Sequence, residues 1–189
     1  MENTLFLDKK TIKLIYMIKF FIILFSTLTL STTAITKQTD AEVNFLNKIF
    51  KNQIPKKERL IVKGEYKQKI KAIMGSKYKK RMFSYWQNNT EQVWILNSIG
   101  KYKPITAAFI TDKCKVKSSH VLVYREQHGY EIKYPAFLLQ FKETEMDKTL
   151  KLNTKIDNIS GATLSVNSMK RMARTALLLS KLSNENSCT

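Results

Sequence analysis

Four short segments in the middle of the sequence are rich in aromatic and β-branched residues, and they constrain the fold more than any other feature. They are residues 81–87, 92–99, 105–111 and 116–125. The turn-forming residues Asn88-Asn89, Gly100 and Asp112-Lys113 separate them. Short segments of this composition at regular spacing predict strands that follow one another in an antiparallel meander. The segments therefore argue against an all-helical fold.

Apolar residues at helical spacing flank the strands on both sides. The predicted helices are 40–50, 65–74 with Gly75 as its stop, one or two turns within 134–141, and about 165–182. In the last of these, one face carries Val166, Met169, Ala173, Ala176, Leu177 and Ser180. Two helices, then strands, then a helix predict the α+β class, here a single domain with an antiparallel sheet flanked by helices.

The first 34 residues are arranged like a secretory signal. Four lysines precede an uncharged run of 17 residues, 20–36, in which the small residues Ser31-Thr32-Thr33-Ala34 follow the apolar core. This order of charged, apolar and small residues predicts cleavage after Ala34 and export, to the periplasm or the outer face of the cytoplasmic membrane. An uncleaved membrane anchor is the alternative. Met17 is an alternative start of the signal.

The chain is strongly basic, with a formal net charge of +18. Residues 48–81 alone hold thirteen Lys and Arg against two acids. A solvated helical face is one interpretation of this stretch, and a docking patch is the other. Because an exported protein meets little nucleic acid, we expect anionic lipid headgroups or acidic proteins as partners, and no nucleic acid.

Cysteine and histidine exclude several classes of site. The sequence has two Cys and two His, with no Cys-x-x-Cys-His, which excludes a disulfide-dense scaffold, a four-cysteine zinc site and c-type haem attachment. Cys114 and Cys188 are the only pair that could form a disulfide, and we expect no obligate bridge because Cys188 is next to the terminus.

Residues 157–165 are a turn of small residues that leads directly into the last helix. Their sequence is Asp-Asn-Ile-Ser-Gly-Ala-Thr-Leu-Ser. Small side chains allow close approach to the backbone, and the free N–H groups of a helix start attract anions such as phosphate. The alternative is an ordinary N-capping turn with Ser165 as the cap.

This motif resembles the flavinylation motif of the FMN-binding domain family. That family includes the C subunit of the sodium-translocating NADH:quinone reductase and the G subunit of the Rnf complex. The resemblance implies that Thr163 carries FMN through a phosphoester bond, installed outside the cytoplasmic membrane by an FAD:protein FMN transferase that releases AMP. It also implies that the neighbouring motif residues are read by the transferase and then hold the FMN phosphate. These are Asp157, Ser160, Gly161 and Ala162, followed by Leu164 and Ser165.

The loop upstream of the motif extends the resemblance. Residues 121–132 are similar to the strand and loop that cover the flavin in the family, with Glu126 and Gly129 matching a Glu and a Gly of its pattern. Tyr130 replaces a Leu, and the family's Pro is missing. The resemblance covers about 100–182, which gives a basic part at 35–99, an FMN-binding core at 100–182 and a tail at 183–189.

The resemblance implies an electron carrier rather than a stand-alone enzyme. Its partner would be a cytochrome or a quinone-linked reductase, with contact to the membrane surface as a further expectation. Two other functions stay open: a small extracytoplasmic flavin reductase, and a flavin-free basic protein that binds the cell envelope.

Overall fold

The computed structural model describes Lys13 and residues 40–184, so the predicted signal segment and the predicted C-terminal tail lie almost entirely outside these residues. The described chain contains four α-helices and five strands. In order they are α1 (40–49), β1 (Glu58–Ile61), α2 (Gly64–Met74), β2 (Met82–Asn88), β3 (Glu91–Ile99), β4 (Pro104–Asp112), β5 (Lys115–Val123), α3 (Pro135–Leu139) and α4 (Thr163–Ser183). A 3₁₀ turn, Tyr130–Lys133, precedes α3. The sheet and α2 to α4 belong to the compact unit that begins at Asn44.

The five strands form one antiparallel sheet in the order β1-β2-β3-β4-β5. The predicted meander is confirmed, with strand ends within two residues of those expected. The sequence did not predict β1. This edge strand has four residues, and three of them are exposed, so it lacks the apolar pattern that marks the other strands.

Alternate residues of the central strands pack on opposite faces of the sheet. In β4, Ile105, Ala107 and Phe109 face the core that α4 covers, whereas Ala108 and Ile110 face a second cluster. That second cluster is completed by Phe45 and Leu46 of α1 with Trp86 and Val93. Burial on both faces explains why β4 is almost continuously apolar. The α+β prediction is confirmed.

Helix α4 begins at Thr163, two residues before the predicted start. Its N-cap is Ala162, so the interpretation of Ser165 as the cap is wrong. Ser165 is buried in the first turn, and its Oγ lies 3.1 Å from the hydroxyl of Tyr124. The apolar face predicted for this helix is confirmed as buried. Gly75 is confirmed as the residue that ends α2.

Cys114 lies in the turn between β4 and β5 and is disulfide-bonded. The expectation that no bridge is needed is therefore wrong for Cys114. Cys188, the other cysteine of the sequence, lies outside the described residues.

The described residues contain neither a helix that could cross a membrane nor a cluster of metal-ligating side chains. None of the helices described here has both the length and the apolar character needed to cross a bilayer. Within the same part of the chain, no three His, Cys, Asp or Glu side chains are grouped as metal ligands would be.

Candidate functional site

The turn before α4 and the loop after β5 meet at one open cleft of about 970 Å³. Three segments line it: 101–103 between β3 and β4, 125–131 after β5, and 160–165 at the start of α4. All the residues predicted for the site lie in these segments except Asp157. Asp157 is exposed just before the motif turn, and its backbone N–H donates to Gln140 Oε1 at 2.7 Å.

Thr163 is the first residue of α4, and its side chain is exposed to the cleft. Asn158 Nδ2 donates a hydrogen bond of 2.8 Å to Thr163 Oγ1, which fixes the position of the oxygen. Sequence reasoning did not single out Asn158. The start of this helix has no side-chain cap and no acidic residue in its first turn. Its first N–H groups and the positive end of its dipole therefore remain available to an anion.

The loop after β5 packs directly on the motif turn. Gly129 has φ of +84°, and a Cβ placed on it would lie 2.8 Å from Ala162 Cβ and 2.9 Å from the hydroxyl of Tyr124. Gly161 also has a positive φ, +75°, but no atom lies within 4 Å of the position its Cβ would take. Gly129 thus permits a close contact between the two segments, and Gly161 permits only the turn.

Tyr124 joins the two segments and was not predicted as a site residue. Its hydroxyl donates to the backbone carbonyl of His128 and also pairs with Ser165 Oγ. The pairing spans 41 residues of sequence, so no local pattern could have indicated it.

Glu126 organises the third wall of the cleft. Its Oε1 accepts hydrogen bonds from the backbone N–H groups of Lys101, Tyr102 and Lys103, at 2.7, 2.7 and 2.8 Å. These bonds lower the pKa of the carboxyl group, the largest effect coming from the N–H of Lys103. The predicted residue is therefore in the cleft, where it holds a loop in place.

The charge on Glu126 gives a pH-dependent prediction. A carboxylate whose pKa is lowered by folding contributes stability above its unfolded pKa of about 4.3, and this stability is lost as the pH falls through the folded value. Glu126→Gln should remove that contribution, so the variant should be less stable than wild type at neutral pH, and the gap should close in acid. Urea unfolding between pH 7 and pH 3 measures the gap. A gap that stays constant over this range would contradict the proposed role of the charge.

Exposed aromatic and apolar side chains surround the cleft. Tyr102 is 75% exposed, Tyr130 51% and Leu164 48%. The Tyr130 ring lies at 6.2 Å from the Tyr124 ring, edge to face, and the Lys133 ammonium is 4.3 Å from its centroid. Large exposed rings beside a polar helix start suit a ligand that has both an aromatic system and an anionic group.

The segment that builds this cleft, residues 100–178, matches the model of the FMN-binding domain family. The chain contains an FMN-binding domain. The matched residues include all three walls of the cleft, and the prediction of a flavin-binding protein is confirmed. None of the curated proteins matches the chain.

Proposed function

We propose that this protein is an exported flavoprotein that carries FMN on Thr163 through a phosphoester bond and transfers electrons between membrane or periplasmic partners. One observation carries the proposal. In an FMN-binding domain, the hydroxyl of Thr163 is exposed at the uncapped start of α4 and opens into the cleft.

The described residues suit both parts of FMN. The start of α4 offers N–H donors and the Ser160 hydroxyl to the phosphate that Thr163 Oγ1 would esterify, and no acid of the first turn would repel it. Tyr102, Tyr130 and Leu164 offer exposed surface to the ring system.

The attachment requires a separate enzyme and a donor, FAD. The Thr163 oxygen would bond to the phosphorus on the FMN side of the FAD pyrophosphate. The bond from that phosphorus to the bridging oxygen would break, AMP would leave with that oxygen, and the hydroxyl would lose its proton. An enzyme can act only on a motif that it can reach. Asp157, Ser160, Gly161 and Thr163 are all exposed, which supports their recognition by an FAD:protein FMN transferase.

The bound flavin would supply one- and two-electron redox chemistry, and this chain's residues would orient it. The bonds from residues 101–103 to Glu126 set the position of Tyr102 at one side of the cleft. The contact between Gly129 and Ala162 holds the opposite loop against the attachment point.

The order of residues at the start of the chain supports export. The first 34 residues have the charged, apolar and small-residue order of a secretory signal.

The intact mass of the exported protein tests the proposal. Produced together with an FAD:protein FMN transferase, the chain should gain the mass of FMN less one water and lose the signal segment. It should also stay yellow after denaturation. An exported protein that gains no mass and is colourless under these conditions would overturn the covalent assignment and favour a flavin-free envelope protein.

The basic surface of α2 and the following loop is the proposed docking site for an acidic redox partner. Four lysines and an arginine line a shallow depression there: Lys67, Lys71, Lys77, Lys79 and Arg81. Changing Lys71, Lys77 and Lys79 to Gln should slow electron exchange. The difference should shrink as salt rises, because exposed charges act over about 8 Å at physiological ionic strength.

The rate is measured as reduction of the bound flavin by membrane vesicles of the producing cell, followed by its absorbance. Three exposed lysines elsewhere, Lys113, Lys142 and Lys148, changed to Gln, are the matched control, because they remove the same charge. Equal slowing in both variants would show a general effect of net charge and contradict a specific docking surface.

A further inference from the structure

A second cleft, of about 560 Å³, lies between α4 and the segment 151–156. It shares no lining residue with the flavin cleft. Its volume lies in the range of small-molecule sites. Five of its lining residues are cationic: Lys151, Lys155, Lys170, Arg171 and Arg174. None of the described residues that line it is acidic.

The two arginines are half-buried and contact only neutral oxygens. Arg171 donates to Ser98 Oγ and, at 2.8 Å, to the carbonyl of Ile99. Arg174 donates to the carbonyls of Lys170 and Leu150, both at 3.3 Å. Within the described part of the chain, no carboxylate pairs with either guanidinium group, so both positive charges are partly removed from water without a counter-charge.

The cluster is electrostatically unfavourable without an anion. Burial lowers the pKa of both guanidinium groups, and the charge of Arg174 adds to the lowering at Arg171. The positive charges repel one another, and a bound oxyanion would reduce this repulsion. A planar guanidinium group matches the geometry of phosphate and carboxylate oxygens.

We propose that this cleft binds a small anion that carries two or more negative charges on phosphate or carboxylate oxygens. The guanidinium groups lie half-buried in a concave site, so a small ion reaches them more readily than a flat acidic protein surface would. Buried Ile156 and half-buried Leu152 also line the cleft and offer it an apolar wall.

The site lies along the same helix face as Thr163. Residues 163, 167, 170, 171 and 174 follow the spacing of one helical face, and the cationic positions are about 10 to 16 Å further along the axis at 1.5 Å per residue. A bound anion would therefore lie near the flavin cleft. The proposal does not require flavin to be attached.

Isothermal titration of the full-length protein with pyrophosphate, and separately with citrate, tests the site. The titrations are made with the flavin-bearing protein and with the flavin-free Thr163→Val variant. Failure of flavin attachment therefore does not affect the test of this cleft. We expect a saturable site that both forms of the protein share, and the anion that binds it more tightly indicates phosphate or carboxylate chemistry. The empty flavin cleft of Thr163→Val should add a second pyrophosphate site, which substitutions in the cationic cleft should not affect. Lys155→Gln with Lys170→Gln should weaken binding by about tenfold or more, because two of the five positive charges that line the cleft are lost.

The matched control is Lys142→Gln with Lys148→Gln, which removes the same charge outside the cleft. It should leave affinity within about twofold, since isolated surface charges contribute little. Thermal unfolding confirms that both variants are folded. Equal weakening in the two variants would overturn the proposal, and so would the absence of saturable binding. Binding of a poly-glutamate peptide but of neither small anion would likewise overturn it, by assigning the surface to an acidic macromolecule.

Discussion

Thr163→Val is expected to abolish covalent flavin attachment and to leave the fold intact. Valine keeps the branched shape but has no oxygen to form the phosphoester. The side chain is exposed, and its only hydrogen bond given by the structure comes from Asn158, so the loss of stability should stay within about 1.5 kcal/mol. Intact mass after export with the transferase measures attachment. Wild type should carry one FMN, and the variant should carry none.

Two further variants separate the hydroxyl from its surroundings. Thr163→Ser keeps a nucleophilic oxygen and should retain part of the label. Asn158→Ala removes the donor at 2.8 Å and should slow labelling without abolishing it. If the Val variant still carries covalent flavin, and peptide mapping places it on Ser160 or Ser165, the assignment to Thr163 is wrong. Ser165 is an unsuitable acceptor on structural grounds, because it is buried and bonded to Tyr124.

Strands β2 to β5 could be predicted because the residue composition of each segment indicates a buried strand. Each contains apolar or β-branched residues bounded by turn residues, and the helix α4 shows its buried face at regular spacing. Strand β1 could not be predicted, because only Leu60 among its residues is partly buried. Its place in the sheet depends on its pairing with β2, and the local sequence of β1 does not indicate that pairing.

The residues of the candidate site also fall into those that local sequence could predict and those that it could not. The residues of the motif are contiguous, so their common place at the start of α4 could be predicted. Tyr124 and Asn158 were missed because their roles rest on contacts that only the folded chain creates. Glu126, which the sequence predicts as a cofactor-binding residue, lines the cleft, but its bonds to residues 101–103 are a long-range feature that no local pattern indicates.

Gly129→Ala is expected to destabilise the domain more than Gly161→Ala, although both glycines have positive φ. A methyl group at Gly161 meets no atom within 4 Å, so only backbone strain is added, about 1–2 kcal/mol. A methyl group at Gly129 has the same strain and also meets Ala162 Cβ at 2.8 Å. Overpacking of this kind adds about 1–3 kcal/mol. The gain from lower entropy of the unfolded chain is the same for both variants and cancels in the comparison.

Urea unfolding of the two variants measures the difference in stability. The visible spectrum and the midpoint potential of the flavin show whether the loop has moved. Because Ala162 precedes the attachment residue, displacement of the loop in Gly129→Ala should shift the visible spectrum and the midpoint potential of the flavin, with the covalent bond intact. Gly129→Val should enlarge both effects, since its branched side chain needs still more space. Equal destabilisation by the two alanine variants would contradict the prediction, because it would show that the loop moves away from Ala162 at no cost in stability. An unchanged spectrum and potential in Gly129→Val would place this loop away from the flavin ring.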